Sequence, residues 1–426
     1  MPTNFTLTLE LPQPTVKVAV EFYNAAEKQK LLKYPTHAVM ERLVKSGLEI
    51  PTEEFLTYYL FHKKRPGKEG WRNYAEVGRK IGHALAELSE WVDFNGESVS
   101  TPADLAGQDR AITERIGESI GLSVVSHMHG LTAADWDRIP IGRYSSFDYQ
   151  IASDGKHIIQ MEAKGSSASD NSRKTSSVSQ HKTSIADKKK AIAEREMQNA
   201  YAFPADLRYG TIAVMGESVD DPVKCLLVDP PADGDGTKAQ RFRLLQRMKF
   251  LRDWISFISP RSQLASALQT RLAALERLPD PFLLDGVPLL KGSGKPFDFT
   301  PIGGMLGEHA SFFTSKSKIT DGPAGGVVVP LPSGDLFMLG IRETLLEQAA
   351  GQQLRRLADY KAEHGPEPKT VECVVTERGL SELRLPSRIL EEASKYGGYY
   401  TFELAGQIQY SDTGVLFGVL PIDKDQ

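Results

Sequence analysis

The sequence predicts an α/β protein whose central mixed sheet is flanked by helices, between an N-terminal α+β region and a C-terminal α+β domain. Helix-like and strand-like patterns alternate from residue 109 to 229, which is typical of a sheet covered by helices. The chain of 426 residues exceeds the usual size of one hydrophobic core, so more than one domain is expected. The predicted divisions are residues 1–100, a central core at 101–235, a helical connector at 236–280 and a C-terminal domain at 281–426.

The composition argues against several classes of protein. The apolar fraction of 40% and the charged fraction of 25% are those of an ordinary soluble protein. No run approaches 18 apolar residues, and the start MPTNFTLTLE has neither a basic nor an apolar segment, so we expect no membrane partner, no signal peptide and a cytoplasmic location. Cys225 and Cys373 lie in apolar runs, which predicts two buried thiols rather than a disulfide or a zinc site. The net charge of −4 leaves a nucleic-acid partner open, because positive charge can gather in one cleft.

The first 100 residues contain two predicted helices, one in YNAAEKQKLLKY and one through Ile81, Leu85 and Leu88. Between them lies the basic segment HKKRPGKEGWR at 62–72, which could follow a phosphate backbone with Trp71 stacked on a base. The alternative is a solvated loop anchored by that tryptophan. The stretch FNGESVSTPADLAG is rich in turn-forming residues and predicts a linker.

The central core is predicted to contain one helix, three strands, a second helix and two more strands. The first helix runs from Asp109 to about Ile120 and ends at Gly121, a residue suited to a helix C-terminus. The strands are LSVVSHM, residues 146–152 and residues 157–164, followed by a helix at 178–200 and the strands YGTIAVM and VKCLLVD. His127 and His129 are expected to be packed or hydrogen-bonded rather than metal ligands, because no third ligand lies at a recognisable spacing.

Beyond residue 235, a helical region is predicted to continue to about residue 278 and to stop at PDPF. The C-terminal domain is predicted to contain a hairpin in GGVVVPLPSGDLFMLGI and a helix in ETLLEQAAGQQLRRLADYKAEHG. Three further strands are expected, one in KTVECVVTE and two in the tail YYTFELAGQIQYSDTGVLFGVL.

The strand pair in the core carries the chemistry. In residues 157–164, Ile159, Met161 and Ala163 alternate with Gln160, Glu162 and Lys164, so an acid and a base share one face. The preceding strand has Phe147, Tyr149 and Ile151 on one face and Asp148 on the other. If both apolar faces lie on one side, a three-residue loop Ser153-Asp154-Gly155 with a left-handed Gly155 is required. That loop would bring Asp148 close to Glu162.

Two neighbouring carboxylates repel each other unless a cation joins them. Mg²⁺ suits this site, because it takes one or two carboxylates, a backbone carbonyl such as that of Ala163, and waters and substrate phosphate. The Lys164 ammonium can orient or help to deprotonate a metal-bound water and offset charge that grows on a phosphate. Metal, water and phosphate together indicate hydrolysis of phosphodiester bonds.

The order of a helix carrying Glu, a strand with Asp148, the triplet Glu162-Ala163-Lys164, a helix and a strand resembles the PD-(D/E)XK nuclease superfamily, with its restriction-endonuclease-like fold. The resemblance covers residues 109–229, and it departs from the family pattern in lacking a proline before Asp148. It implies that Asp148 and Glu162 bind Mg²⁺, with Mn²⁺ as an alternative, and that Lys164 assists the attacking water. A glutamate of the first helix would complete the metal shell, either Glu114 or Glu118, with Glu114 preferred.

The residues after Lys164 could hold the nucleic-acid backbone. Residues 165–190 contain six Lys or Arg and two Asp, with eight Ser between 166 and 184. The alternative is a solvated loop that leads into a charged helix face. The candidate contacts with nucleic acid are Arg173, Lys174, Gln180, Lys182, Lys188 and Lys189.

The resemblance therefore predicts a Mg²⁺-dependent endonuclease, with DNA preferred over RNA as substrate. By analogy with the fold it suggests a prokaryotic defence or restriction-like role, with a homodimer or a defence-complex subunit as partner. Three alternatives remain open at this stage. They are a catalytically silent DNA-binding or assembly subunit of the same fold, an RNA nuclease, and a structural or signalling protein whose acid-base hairpin is ordinary surface.

Overall fold

A computed structural model of the chain describes most of its residues. The described residues are 15–63, 65–66, 74–91, 93–94, 99–100, 110–139, 150–166, 176–198, 203, 205–215, 223–228, 236–258, 262–289, 311–316, 323–383, 385–396 and 398–422. Tertiary contacts divide the chain into two units, Met1–Lys63 with Ala86–Gln246 and Lys64–Leu85 with Arg247–Gln426.

The first unit consists of a mixed sheet and the helices that cover it. Its strands are β1 (Thr15–Phe22), β2 (Leu48–Pro51), β3 (Asp93–Phe94), β4 (Val99–Ser100), β5 (Asp137–Arg138), β6 (Gln150–Ser153), β7 (Ile158–Ser166), β8 (Leu207–Val214) and β9 (Val223–Val228). Its helices are α1 (Ala25–Leu31), α2 (His37–Ser46), α3 (Thr52–Phe61), α5 (Arg110–His129) and α6 (Ser176–Met197), while α4 (Tyr74–Trp91) and α7 (Ala239–Ile258) contribute residues to both units. The predicted mixed sheet flanked by helices is therefore confirmed.

Strand order in this sheet is β3-β4-β1-β9-β8-β7-β6-β5, with β2 paired to β1. β7 and β8 are parallel and are connected through α6, whereas β6–β7 and β8–β9 are antiparallel. β1 lies parallel to β9, from Val18 opposite Val223 to Phe22 opposite Leu227. The sheet thus includes a strand of the first 100 residues, and the division predicted at residue 100 runs through the sheet rather than beside it.

The helix α5 extends beyond its predicted end at Gly121. A Cβ atom at Gly121 would lie 2.3 Å from Thr211 Oγ1, and one at Gly117 would lie 2.6 Å from the Cα of Gly165. These glycines let α5 pack closely on β7 and β8, so Gly121 serves close approach and does not end the helix. The strand predicted at LSVVSHM is therefore wrong, because packing of this segment within α5 overrides the β-propensity of its valines.

The hairpin of β6 and β7 confirms the second predicted strand and the end of the first, whose residues 146–149 lie outside the described residues, but it does not have the predicted loop. Ser153 lies opposite Ile158 and Gln150 opposite Met161, so four residues connect the strands and Ile151 shares a face with Gln160. The Asp154 carboxylate explains the loop length: its Oδ1 accepts backbone N–H bonds from Lys156 at 2.8 Å and His157 at 2.7 Å. Gly155 has the predicted left-handed conformation, with φ of +88°. The three-residue loop was the reason for placing Asp148 beside Glu162, and Asp148 itself lies outside the described residues.

The second unit contains an antiparallel sheet of order β13-β10-β11-β12-β16-β15-β14, in which β13 also pairs with β15 and so closes a ring. The predicted hairpin and the three predicted strands are confirmed. The predicted single helix at 343–365 is instead two helices, which separate at Gly351 and at Gln352 with φ of 51°. The strands are β10 (Ser311–Lys316), β11 (Pro323–Pro330), β12 (Leu336–Arg342), β13 (Gly365–Thr376), β14 (Ser394–Tyr396), β15 (Tyr399–Tyr410) and β16 (Val415–Leu420). The helices are α8 (Gln263–Leu275), a 3-10 turn (Pro281–Leu284), α9 (Glu343–Ala350), α10 (Leu354–Asp359), α11 (Glu377–Leu383) and α12 (Ser387–Glu392).

Both cysteines are buried free thiols, one in each unit, as the sequence predicts. Burial raises the pKa of the Cys225 thiol to about 12 and also raises that of Cys373. Among the described helices, none is both long and apolar enough to cross a membrane.

Candidate functional site

A row of polar side chains follows one face of β7, formed by Gln160, Glu162, Lys164 and Ser166. Because strand side chains alternate, this face is opposite to the one that carries Ala163 and Gly165. The row faces α6, since Ser166 Oγ lies 2.8 Å from Ser177 Oγ and Lys188 of α6 bonds to Glu162. Three members of the row are buried and Lys164 is half-buried, so the strand places polar groups where apolar ones would ordinarily lie.

Glu162 lies at the centre of this row, and its side chain is 0% exposed. The Nζ of Lys164 lies 2.6 Å from its Oε1, and the Nζ of Lys188 lies 2.5 Å from the same oxygen. The two lysine side chains are 18% and 27% exposed, so both reach the buried carboxylate from the side of the solvent. The outcome is a buried anion held between two partly solvated cations.

The backbone around Glu162 explains how Lys188 reaches it. Glu162 is paired with Gly210 of β8, where an added Cβ would lie 2.9 Å from the Ile185 side chain of α6. The glycine therefore lets α6 approach the sheet, and Ile185 packs there with other apolar residues of α6, β8 and β9. Lys188 follows Ile185 by one helical turn, so it extends from nearly the same face of the helix.

The rest of the polar face is occupied by structural contacts. Arg208, which is 2% exposed, donates through Nε to Gln160 Oε1 at 3.2 Å and through Nη1 to Glu196 Oε2 at 2.9 Å. Lys182 lies 3.8 Å from the Glu27 carboxylate of α1 and above the Tyr23 ring. Lys182 thus bonds within the fold, away from the Glu162 cluster.

An open hollow of about 600 Å³ lies along α6 next to this cluster. Within the described part of the chain it is lined by Ser179, Gln180, Thr183, Ser184, Asp187, Lys188 and Ala191. Hydroxyl, amide and ammonium groups predominate there, which are the groups that contact nucleic-acid phosphates and sugars. Lys188 belongs to both the hollow and the ion cluster, so it connects the buried carboxylate to solvent.

The predicted site residues are thus only partly brought together. Glu162, Lys164, Lys188 and Gln180 lie along one region, whereas Lys182 pairs with Glu27 and Lys189 is half-buried on α6. Asp148, Arg173 and Lys174 lie outside the described residues.

The structure does not bring Glu114 and Glu118 to Glu162. Both belong to α5, which packs on the sheet face of Ala163 and Gly165, opposite to the Glu162 carboxylate. Glu118 is instead 3.3 Å from the Lys63 ammonium. Because side chains alternate along β7, Glu162 and Lys164 point away from the sheet face on which α5 packs, so the glutamates of α5 do not reach them.

The described residues at Glu162 do not by themselves fit a divalent cation. Among the described residues, one of the predicted carboxylates is in place, and the two ammonium groups at its Oε1 more than balance its charge. Mg²⁺ ordinarily requires a near-octahedral set of oxygen ligands, which one paired carboxylate does not provide.

A second polar cluster, formed by His129, Asp154 and His157, was not predicted from the sequence. Asp154 Oδ2 lies 2.9 Å from His129 Nδ1 and 3.1 Å from His157 Nδ1. Burial by itself raises the pKa of Asp154. The hydrogen bonds with His129, with the backbone N–H groups of His157 and Lys156 and with the His157 ring outweigh it, so that this pKa is well below its usual value. His129 reaches Asp154 and His157 because it lies at the end of α5. The sequence instead predicts a strand just before His129, so this contact is not expected from it.

Comparison with protein-family models, with curated proteins and with solved structures finds no match to this chain.

Proposed function

We propose that the chain is a phosphodiesterase that acts on nucleic acid at the cluster of Glu162, Lys164 and Lys188. The observation that carries the proposal is a fully buried carboxylate held by two lysines on an interior strand, next to a polar hollow. An ordinary exposed hairpin, one of the alternatives left open by the sequence, would not bury Glu162 completely.

The order of elements also supports this proposal. Helix α5 is followed by three consecutive antiparallel strands, β5 to β7, then by α6 and by β8 parallel to β7. The resemblance to PD-(D/E)XK nucleases depends on a helix, a strand with Asp148, the strand of Glu162 and Lys164, a helix and a further strand. The elements α5, β6, β7, α6 and β8 occur in that order, while Asp148 itself lies outside the described residues. The likeness supports a fold-level analogy, and the function is inferred from the site.

The roles of the residues follow from their charges. The ammonium groups of Lys164 and Lys188 would offset negative charge that develops on a phosphate. Gln180 and the hydroxyl groups of α6 would hold the adjoining backbone. The described residues at Glu162 do not by themselves hold Mg²⁺ or Mn²⁺, and a cation at Oε1 would have to displace at least one of the two ammonium groups.

A second candidate function is a nucleic-acid-binding subunit without turnover. It is favoured by one observation, namely that Glu162 Oε1 is already paired with two lysines, as in a structural ion cluster. The same hollow would then bind the phosphate backbone, and no cleavage would follow.

The experiment measures cleavage of supercoiled plasmid, linear duplex, single-stranded DNA and RNA by the full chain in Mg²⁺, Mn²⁺ and EDTA. Lys164→Met is the test variant, and Lys190→Met is the matched control because Lys190 is an exposed lysine of α6. Metal-dependent cleavage that is lost in Lys164→Met and kept in Lys190→Met would support the phosphodiesterase, and the substrate cut would identify the polymer.

Binding without cleavage, measured by fluorescence anisotropy on the same substrates, would support the silent subunit instead. If the chain neither cuts nor binds any of the four substrates, both candidate functions are refuted.

A further inference from the structure

The cluster of His129, Asp154 and His157 joins two separate parts of the first unit. His129 is at the end of α5, and Asp154 and His157 lie in the loop between β6 and β7. Their ligand atoms, two imidazole nitrogens and one carboxylate oxygen, all lie within 4.8 Å of one another. Glu162 is five residues along β7 from His157, or about 16 Å in an extended strand, so this cluster is distinct from the proposed catalytic site.

The spacing of the three donor atoms is close to that of a metal centre. Bonds of about 2.0–2.1 Å to a tetrahedral Zn²⁺ place neighbouring ligand atoms about 3.3 Å apart. The two measured separations from Asp154 Oδ2 are 2.9 Å to His129 and 3.1 Å to His157. These two pairs need to separate by only a few tenths of an ångström to accept an ion, and the two imidazole nitrogens already lie within 4.8 Å of each other.

The Asp154 carboxylate is already oriented to bind a metal ion through Oδ2. Its Oδ1 is occupied by the backbone N–H groups of Lys156 and His157, so Oδ2 alone is directed at both imidazoles. A ligand held in this way loses little conformational freedom when it binds a metal.

The environment of His129 favours metal binding through Nδ1. A neutral imidazole that binds a metal through Nδ1 carries its proton on Nε2. His129 Nε2 lies 2.9 Å from the Tyr209 hydroxyl, which can accept that proton in a hydrogen bond and donate its own to Thr36 Oγ1 at 3.3 Å. Outer-shell partners of this kind fix the tautomer of histidine ligands in metal sites.

Access and charge also suit a bound cation. The side chain of His129 is 0% exposed, Asp154 is 12% exposed and His157 is 26% exposed, so an ion could enter, and a water could bind, on the side of His157. Arg243 lies beside the cluster, where its Nη1 donates to the Asp154 carbonyl at 3.2 Å. Its charge is balanced by the fully buried Asp135, at 3.1 Å from Nε.

We propose that His129, Asp154 and His157 form a binding site for a divalent first-row transition metal, with Zn²⁺ as the representative ion. Two imidazole nitrogens and one carboxylate oxygen are ligands typical of such metals, and they leave a position for water. The ion would attach the β6–β7 loop to the end of α5 and so stabilise the hairpin that carries Glu162. This inference does not depend on the proposed phosphodiesterase.

The test is Zn²⁺ titration of the EDTA-stripped and desalted full chain in competition with a chromophoric chelator. We expect one strongly bound equivalent, an affinity at least about 100-fold lower in His157→Ala, and one about 10-fold lower in Tyr209→Phe. His127→Ala is the matched control, because His127 belongs to the same helix but pairs with Glu54. Glu162→Gln should bind Zn²⁺ like the wild type, because it removes the carboxylate of the proposed catalytic cluster and leaves the three ligands of this site intact. This variant therefore separates the site from the catalytic proposal.

A second readout controls for folding. Zn²⁺ should raise the melting temperature of the wild type and of His127→Ala but not that of His157→Ala, whose far-ultraviolet circular dichroism should stay that of the wild type. The proposal is refuted if the wild type binds no Zn²⁺ in preference to the chelator. It is equally refuted if His157→Ala binds as tightly as the wild type or if His127→Ala loses as much affinity as His157→Ala. The cluster is then a hydrogen-bonded network only.

Discussion

Replacing both Lys164 and Lys188 by methionine should cost far more stability than the two single replacements added together. The two ammonium groups lie 2.6 and 2.5 Å from one oxygen of Glu162, whose side chain is 0% exposed. Each single variant leaves the carboxylate paired with the other lysine. The double variant leaves a buried charge with neither lysine.

The magnitudes follow from this geometry. At an effective dielectric constant of about 20, each contact has a gross attraction of about 6 kcal/mol. Desolvation offsets most of it, and the lysines are partly solvated, so we expect each single variant to lose about 0.5–1 kcal/mol. Removing both lysines from a buried charge should cost about 3–5 kcal/mol, which leaves a coupling of about 2–3 kcal/mol. For a unit of this size, the double variant should melt about 6–20 °C lower than the wild type.

The assay is thermal unfolding of the four proteins of the double-mutant cycle, with hydrogen exchange of β7 peptides to assign the transition to the first unit. Glu162→Gln added to the double variant should recover much of the lost stability, because it removes the buried charge. Additive effects of the two lysine variants, or a triple variant as unstable as the double one, would refute this description of the cluster.

Three further predictions concern other features of the first unit. Lys188→Met should bind Mg²⁺, which prefers oxygen ligands to the imidazoles of the second site, more tightly than the wild type in a calorimetric titration, because one ammonium that competes for Glu162 is gone. Unchanged or weaker affinity would count against a cation at that oxygen. Gly165→Ala should lower the free energy of unfolding by about 1–3 kcal/mol, since its Cβ would lie 2.0 Å from a carbonyl oxygen of α5. Gly130→Asn is the control: nothing lies within 4 Å of an added Cβ there, so the variant should lower the free energy of unfolding by less than about 1 kcal/mol. In metal-free protein, the lowered pKa of Asp154 means that its carboxylate stabilises the fold at pH values above 3.8, and that this stabilisation is lost as the pH falls below 3.8. In urea unfolding, the difference in free energy of unfolding between Asp154→Asn and the wild type should therefore shrink in acid. A difference that does not depend on pH would contradict the lowered pKa.

Several elements were predictable because their signals are local. β8 and β9 are continuous apolar runs, and α6 and α4 have long helical patterns, so the sequence predicts them close to their observed positions. The placement of Glu162 and Lys164 on one strand face is equally local, because it follows from the two-residue period of a strand.

Other features depend on contacts between distant segments. Gly121 has the appearance of a helix end, but its lack of a side chain serves the close approach of α5 to Thr211. The hairpin loop has four residues because Asp154 bonds two backbone N–H groups. With this loop length Ile151 lies opposite Gln160, whereas the prediction that both apolar faces lie on one side requires a three-residue loop. β1 pairs with a strand that begins about 200 residues later, and no local pattern indicates such a partner.

The sequence by itself determined which side chains share the polar face of β7, because that depends only on the geometry of an extended chain. Only the tertiary structure decided what those side chains meet. Lys188 reaches Glu162 because Gly210 admits α6 to the sheet, and Glu114 does not, because α5 covers the other face. Likewise, His129 meets Asp154 and His157 only after α5 and the hairpin have packed together. Such sites depend on packing between segments far apart in the chain, and the spacing of residues within any one segment does not determine how the segments pack.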